Sequence, residues 1–334
     1  MLHTPLCKDL GIRYPILSVG MGGGMAGPEL TAAVSDAGGC GVLGMGGLPA
    51  PYIQRQIQQL RTLTDKPFGV NIILPLLQDG EIETCLDEDV PVLVLFWGDP
   101  APYVKEAHRK GTKVFVQVGS VEEAVTAAEA GADAIIAQGI EAGGHVKSTT
   151  SLSTIVPAVI EAVGPLPVIA SGGIANGRGV VAALGLGAQA VSMGTRFVAS
   201  EEILVTQEYK QRIVDGKAED TVYTTLFDIG WPDAAHRVLR NKAIDAWEAA
   251  GCPASGQRPG EGSVVGTMPM AGTTTDVPKY GIFPPMPGFT GDMEQTALYA
   301  GESCRLINDI KPAAQIVQDI VQEAEAVLKH LSAA

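Results

Sequence analysis

The stretch PVIASGGIANGRGVVAALGLGAQAVSMGTRF, residues 167–197, decides the fold. It contains an apolar run that ends in Ser171-Gly172-Gly173, an Ala-rich segment of helical length, and a second apolar run that ends in Met193-Gly194-Thr195. Continuously apolar runs are typical of parallel strands that are covered on both faces. The stretch therefore predicts two parallel strands joined by a helix, with both glycine turns at the same edge of the sheet.

The same alternation of apolar runs and helical segments continues towards the N-terminus. The strand-like runs lie at 14–19, 41–45, 68–73, 91–97, 113–118, 133–138, 167–171 and 189–193. The predicted helices between them lie at 28–38, 51–63, 101–110, 121–130, 151–163 and 176–186, and 75–89 fits no clear type. An open sheet would need a topological switch, of which the sequence gives no sign. We therefore expect an α/β fold, a closed (β/α)₈ TIM barrel.

The pattern changes after residue 200. Residues 200–215 are predicted to be helical, 216–300 are rich in Gly, Pro and Thr, and 309–331 have the apolar spacing of a helix. A long irregular segment in a compact domain is usually a lid or an extension packed on the core. We expect a barrel at 1–215, an extension or lid at 216–308, and a terminal helix at 309–334 that returns to the barrel or contacts a second subunit.

Composition excludes several classes of function. Hydrophobic residues make up 46% of the 334 residues and the net charge is −14, which leaves no basic surface for nucleic acid. No secretion signal or membrane span is evident. The five cysteines are scattered, with no CxxC pair, which fits a reducing cytoplasm. We expect a cytoplasmic, soluble protein that acts on a small molecule and has no metal site. A homodimer is a possible state.

The two glycine turns suggest a phosphate site. In a (β/α)₈ barrel, the loops after strands 7 and 8 bind phosphate through exposed backbone N–H groups. Gly172, Gly173 and Gly194 would allow the backbone to approach the phosphate oxygens, and Thr195 adds a hydroxyl donor. Ordinary tight turns are the alternative, while the absence of GxxxxGK[ST] excludes a P-loop.

A second candidate site is QGIEAGGH, residues 138–145, which follows the sixth predicted strand. Catalytic residues of such barrels lie at the carboxyl ends of the strands. His145 can act there as a base or as a hydrogen-bond donor near neutral pH, and the glycines Gly143 and Gly144 would let the chain pass close to a flat ligand. The alternative is a structural histidine that caps a turn.

Further polar or glycine positions lie at the same predicted edge: Gly20 and Met21 after strand 1, Asn71 on strand 3, Gln117 on strand 5 and Gln138 on strand 6. Amides in apolar strands are costly unless they form hydrogen bonds, with a ligand or in a buried network. Trp97 could line the pocket or belong to the core. Tyr299 could approach the pocket if its segment folds over it.

The segments PILSVGM, PFGVNI, GIEAGGH, SGGIANGRG and ALGLGAQAVSMGTRFVASEE resemble the nitronate monooxygenases, formerly called 2-nitropropane dioxygenases. The resemblance covers about 10–205 and resumes weakly at 236–245 (HRVLRNKAID) and 298–307 (LYAGESCRLI). It implies a TIM barrel with non-covalently bound FMN. The implied FMN contacts are Gly20, Met21, Asn71, Gln117, Gln138, Gly144, Ser171, Gly172, Gly173, Gly194 and Thr195.

By the same resemblance, His145 matches the family's active-site histidine. It would bind the nitronate or remove the α-proton of a nitroalkane. The resemblance further implies that molecular oxygen takes part and that a carbonyl compound and nitrite are released. Flavin-type enoyl-acyl-carrier-protein reductases and NADH:quinone reductases share much of this framework. Some of the quinone reductases carry Lys and Asp where this chain has Gln117 and Gln138, which slightly favours the monooxygenase.

Three functions remain open at this point. The first is an FMN monooxygenase that acts on nitronates such as propionate 3-nitronate. The second is an NAD(P)H-dependent FMN reductase of quinones or enoyl thioesters, which alone should bleach its flavin rapidly with NAD(P)H. The third is a non-catalytic barrel that binds a phosphorylated ligand, which should purify as a colourless protein.

Overall fold

The structure is a computed structural model that describes residues 2–270 and 273–333. Its barrel half contains the strands β1 (Ile16–Ser18), β2 (Gly41–Gly44), β3 (Phe68–Ile73), β4 (Val92–Phe96), β5 (Lys113–Val118), β6 (Ala134–Gln138), β7 (Gly144–His145), β8 (Val168–Ser171) and β9 (Ala190–Met193). All except β7 form one parallel sheet in the order β1-β9-β8-β6-β5-β4-β3-β2. Backbone hydrogen bonds of Cys40 with Ile16 and Ser18 join the two ends. The predicted (β/α)₈ barrel is therefore confirmed.

The helices of this half surround the sheet. They are α1 (Pro5–Leu10), α2 (Pro28–Asp36), α3 (Ala50–Leu63), α4 (Glu81–Asp87), α5 (Ala101–Arg109), α6 (Val121–Glu129), α7 (Leu152–Val163) and α8 (Gly177–Gly185). The undecided segment 75–89 holds the short helix α4 after a 3₁₀ turn at Leu74–Leu76. Asn176 caps α8, because its side chain accepts from the Gly179 N–H at 3.0 Å.

Two apolar cores follow from the burial of every barrel strand on both faces. Inward-facing residues such as Phe115, Ile136 and Ile169 pack inside the barrel together with Leu6 and Leu10 of α1. Helix α1 therefore closes one end of the barrel. Outward-facing strand residues pack against the surrounding helices. The strands finish at the opposite end, which a later part of the chain covers.

The chain after the barrel is more regular than the sequence predicts. It contains α9 (Thr195–Val198), α10 (Gln207–Asp215), α11 (Lys242–Ala249), β10 (Thr221–Thr224), β11 (His236–Leu239), β12 (Val264–Met270), β13 (Thr273–Pro278) and β14 (Thr290–Gly291). The predicted helix at 200–215 is wrong in its first part, since α10 begins only at Gln207, behind the capping side chain of Thr206. Two small antiparallel sheets form, β10-β11-β7 and β13-β12-β14.

The extension has its own apolar cluster, which includes Phe227, Val238, Ile244, Tyr280 and Tyr299. Because β11 pairs with β7, this cluster is held against the carboxyl end of the barrel. The extension therefore covers the end of the barrel at which the candidate residues lie.

The terminal helix α12 (Ala313–Ala333) packs against the barrel helices. Its buried face, which includes Ile316, Val317 and Ile320, belongs to the same apolar core as the barrel helices. A Cβ at Gly177 would overlap the α12 backbone at Ala324, so glycine permits the close approach of α8 and α12. Within the described residues, no helix combines the length and apolarity needed to cross a membrane.

Candidate active site at the carboxyl end of the barrel

A cavity of about 370 Å³ lies where the barrel strands end. Binding sites for small molecules commonly measure about 300–1,000 Å³. All twelve candidate residues line this cavity: Gly20, Met21, Asn71, Gln117, Gln138, Gly144, His145, Ser171, Gly172, Gly173, Gly194 and Thr195. The structure thus brings together residues that are separated by up to 175 positions in the sequence, as their numbers show.

One side of the cavity presents free backbone donors. Gly172 and Gly173 adopt φ values of 107° and 70°, which favour glycine. Their N–H groups, and that of Gly194, donate to no other described residue. The Thr195 hydroxyl oxygen accepts from the Gly301 N–H at 3.0 Å, so its own proton remains available. This combination of donors suits an anion such as a phosphate group.

The opposite side carries His145, and a strand pair fixes its position. In β7, Gly144 pairs with Arg237 and His145 pairs with His236 of β11. The Gln138 side chain donates to the His145 carbonyl at 2.9 Å and accepts from the Lys147 N–H at 3.1 Å. His145 is therefore held by the barrel through Gln138 and by the extension through β11.

Aromatic side chains surround the His145 imidazole. Trp231 stacks on it with ring centroids 4.2 Å apart and an interplanar angle of 27°. The ring centroids of Tyr299 and His236 lie 5.4 and 5.5 Å away, and that of Trp97 lies 6.5 Å away. Three of these four rings come from the extension, so a barrel without it would leave the imidazole in water.

This environment lowers the pKa of His145 to about 3, mainly because burial disfavours the charged imidazolium, with a further contribution from His236. The Nε2 atom of His145 is buried and has no hydrogen-bond partner among the described residues. A buried polar atom without a partner is costly unless a ligand or water completes it. The imidazole is thus neutral at physiological pH, and its Nε2 atom has an unfilled hydrogen-bonding position.

His236 is also neutral, and its tautomer follows from its contacts. Its Nε2 accepts from the Phe227 N–H at 3.2 Å, so the proton lies on Nδ1, which donates to the Ala234 carbonyl at 2.8 Å. Burial lowers the pKa of His236 to about 4. At neutral pH His236 is uncharged, and it opposes protonation of His145 only in acid, where it is itself protonated.

One expectation from the sequence needs correction, and two amides form the buried network that the sequence left open as an alternative. Gly143 does not make room for a ligand plane: a Cβ there would overlap the Gly301 nitrogen and the Ala300 carbonyl carbon, so it permits contact with the extension. Both polar atoms of the Gln138 amide are satisfied by backbone groups, which is the buried-network alternative. Asn71 likewise donates to the Val94 carbonyl at 3.1 Å, although it also faces the cavity.

Sequence reasoning missed Trp231, His236 and Ile282, which belong to the site or its surroundings. No local pattern indicates them, because their positions depend on the pairing of β11 with β7. The one available signal was the weak resemblance at 236–245 and 298–307, since these segments supply β11 and Tyr299. Tyr299 does approach the cavity, and its hydroxyl donates to the Ile282 carbonyl at 2.8 Å.

Comparison with known proteins places this geometry among flavin oxidoreductases. The family model described as nitronate monooxygenase matches residues 3–323. A "probable nitronate monooxygenase" of Staphylococcus aureus is 29% identical over 97% of this chain and 98% of its own length. The structure of a nitroalkane oxidase from Streptomyces ansochromogenes superposes with a TM-score of 0.79 at 28% identity, covering 97% of this chain and 99% of that one.

Two other relatives have different names. The structure of FabK from Thermotoga maritima has a TM-score of 0.79 at 35% identity, covering 100% of this chain and 99% of that one. A Mycobacterium tuberculosis protein is 36% identical over 74% of this chain and 69% of its own length. It is named (3aS,4S,5R,7aS)-5-hydroxy-7a-methyl-1-oxo-octahydro-1H-indene-4-carboxyl-CoA dehydrogenase.

Proposed function

The chain belongs to the nitronate monooxygenase family, and from this premise we propose that it is an FMN-dependent enzyme that oxidises alkyl nitronates with molecular oxygen. The products would be a carbonyl compound and nitrite. One observation carries the proposal: His145 presents an unpartnered, buried Nε2 atom beside a cavity whose other side consists of free backbone donors.

The residues of the cavity fit FMN. The N–H groups of Gly172, Gly173 and Gly194 and the Thr195 hydroxyl would hold the phosphate group without any cationic side chain. Asn71 and Gln117 would face the ring system, together with Gly20 and Met21. When bound, the flavin supplies electron transfer between the substrate and oxygen.

His145 would bind the nitronate rather than generate it. A neutral imidazole can donate one hydrogen bond to a nitronate oxygen, and the surrounding rings exclude water, which strengthens that bond. Because the pKa of His145 is lowered to about 3, the imidazole is a poor base for the carbon acid of a neutral nitroalkane. We therefore propose that nitronates react and that neutral nitroalkanes react poorly.

The extension would act as the cover of this site. We propose the division into a flavin-binding barrel at 1–215, a covering extension at 216–308 and a terminal helix at 309–334. The cover contributes Trp231, His236 and Tyr299 around His145. Its contact with the barrel at Gly143 and Gly301 would keep those rings in place.

Product analysis tests the proposal. The cofactor released from the yellow protein by denaturation should have the mass of FMN. The protein should then release nitrite and consume oxygen with ethylnitronate, and should release at least tenfold less nitrite with freshly dissolved nitroethane at equal concentration. Equal rates with both compounds would show that the enzyme deprotonates the nitroalkane, and absence of nitrite with both would refute nitronate oxidation.

A second candidate function is supported by the identities of 35% and 36% to FabK and to the mycobacterial carboxyl-CoA dehydrogenase, which exceed the 29% identity to the staphylococcal protein. In this alternative, the enzyme would use NAD(P)H and FMN to reduce an enoyl thioester or a quinone. Oxidation of NADH or NADPH that depends on crotonyl-CoA or a benzoquinone, without any nitrite formation from nitronates, would favour it.

A further inference from the structure

The outer wall of the cavity is apolar and continuous with the surroundings of His145. Trp231, which stacks on His145, belongs to an apolar cluster with Phe96. Ile73, Leu76 and Ile282 pack against the same cluster. Trp97 also packs against this cluster but does not line the cavity. The other five side chains do line it. An apolar surface therefore leads from the reactive imidazole to the exposed side chain of Gln78 at the rim.

This wall is formed by the barrel and the extension together. Ile73 and Leu76 come from the end of β3 and the turn after it, while Met270, Ile282 and Phe283 come from the extension. These five side chains are only partly buried, although all five are hydrophobic. Partly exposed apolar side chains that face one another across a cavity gain stability when an apolar ligand covers them.

The apolar wall of the cavity offers no compensation to a charged ligand tail. Among the described lining residues, none is Asp, Glu, Lys or Arg. The cations next to the histidine pair are already engaged: Lys147 pairs with Glu123, and Arg237 donates to the Ile140 carbonyl and pairs with Glu302. A carboxylate placed against this wall would lose water without gaining a cation or a hydrogen-bond donor, which is costly.

We propose that the substrate of this site carries an uncharged aliphatic chain that lies along the wall of Ile73, Leu76, Ile282 and Phe283, and that substrates ending in a carboxylate are disfavoured. This inference rests on the proposed function of the cavity as the substrate site of a flavin enzyme. It selects longer alkyl nitronates over propionate 3-nitronate. Each methylene placed on the wall should strengthen binding about three- to fourfold until the wall is covered.

Binding of unreactive ligands tests the proposal without any electron transfer. The dissociation constants of linear amides from propanamide to octanamide would be measured by calorimetry with the purified flavin-containing protein. We expect a three- to fourfold decrease per methylene over at least three steps. Adipamate, which has the chain length of hexanamide but ends in a carboxylate, should bind at least tenfold more weakly than hexanamide. A flat series, or equal binding of these two ligands, would overturn the proposal.

Charge placed on the wall provides a gain-of-function test. Leu76→Lys should strengthen adipamate binding at least tenfold and weaken hexanamide binding. Met270→Lys, on a partly exposed residue of the lining, should act in the same direction if Leu76→Lys fails to fold. Val264→Lys adds the same charge at an exposed position of the same strand as Met270, outside the lining, and should change neither constant. An equal effect of Val264→Lys would assign the change to overall charge and refute the wall.

The outcomes separate this inference from the proposed function. If the amide series shows the expected dependence and no nitronate yields nitrite, the apolar wall stands and nitronate oxidation fails. If nitronates yield nitrite at rates independent of chain length and charge, and the amide series is flat, nitronate oxidation stands and the wall fails.

Discussion

Replacement of His236 by Asn should make the stability of the protein less sensitive to acid. The His236 side chain is fully buried, and burial lowers its pKa from 6.5 to about 4. Between these pH values the unfolded chain binds a proton that the folded protein does not bind. The free energy of unfolding therefore falls as the pH is lowered from about 6.5 towards 4, and it is fully retained above that window.

The size of this effect follows from the two pKa values. At pH 5, a group that titrates at 6.5 in the unfolded chain and at about 4 in the folded protein costs about 2 kcal/mol relative to pH 7. His145 also lowers the free energy of unfolding in acid, because its pKa in the folded protein is lowered to about 3. His236→Asn removes only the first contribution. The variant can still donate to the Ala234 carbonyl, while the Phe227 N–H loses its acceptor at a cost of about 1–3 kcal/mol at every pH.

Urea unfolding at pH 5 and pH 7, followed by tryptophan fluorescence, measures this difference. The wild-type protein should lose about 2 kcal/mol more than His236→Asn on going from pH 7 to pH 5. His330→Asn, at an exposed position in the terminal helix, is the matched control and should show the wild-type loss. A variant that loses as much stability as the wild type would refute a buried, neutral His236.

Three further predictions concern the residues around His145. His145→Asn should retain flavin, since the proposed phosphate donors lie elsewhere, and it should lower nitronate turnover at least a hundredfold. Turnover at the wild-type rate would refute a catalytic role of His145. Loss of flavin absorbance would show that His145 has a structural role. Gln138→Leu leaves the His145 carbonyl and the Lys147 N–H without partners. The substitution should therefore lower the free energy of unfolding in urea by about 2 kcal/mol or more, and it should raise the KM for ethylnitronate. If both values are unchanged, Gln138 does not position His145. Gly143→Ala should force Gly301 away and lower the thermal midpoint by several degrees, corresponding to about 1–3 kcal/mol, whereas Gly185→Ala, which meets no atom, should not.

The barrel was predictable from the sequence because its signal is local. The runs at 68–73 and 113–118 agree at both ends with β3 and β5, since each is a mainly apolar run of strand length. The glycine turns at 172–173 and 194 were also predictable, because tight turns favour glycine in the sequence. Parallel packing then places all strand ends at one edge, which located the cavity.

The surroundings of His145 were not predictable in the same way. Trp231 and His236 reach the imidazole only through the antiparallel pairing of the two-residue strand β7 with β11, which is separated from it by about 90 residues. Nothing local in GGH indicates a strand. The loss of regular pattern after residue 215 reflects short strands in Gly- and Pro-rich sequence, whose pairing partners are distant.

The same limit explains the misassigned glycine. Gly143 and Gly144 are adjacent, and a sequence offers no means to distinguish a glycine that accommodates a ligand from one that accommodates another part of the chain. The structure separates them: Gly143 contacts the backbone at 300–301, while Gly144 has a φ of 72° and open space where a side chain would lie.

Anaerobic mixing in a stopped-flow spectrophotometer distinguishes nitronate oxidation from reduction of the flavin by a nicotinamide nucleotide. The yellow protein would be mixed with ethylnitronate, with NADH and with NADPH, and the flavin absorbance would be followed in each case. We expect rapid loss of flavin absorbance with ethylnitronate, and a loss at least a hundredfold slower with either nucleotide. Rapid bleaching by a nicotinamide nucleotide, with no response to the nitronate, would contradict nitronate oxidation.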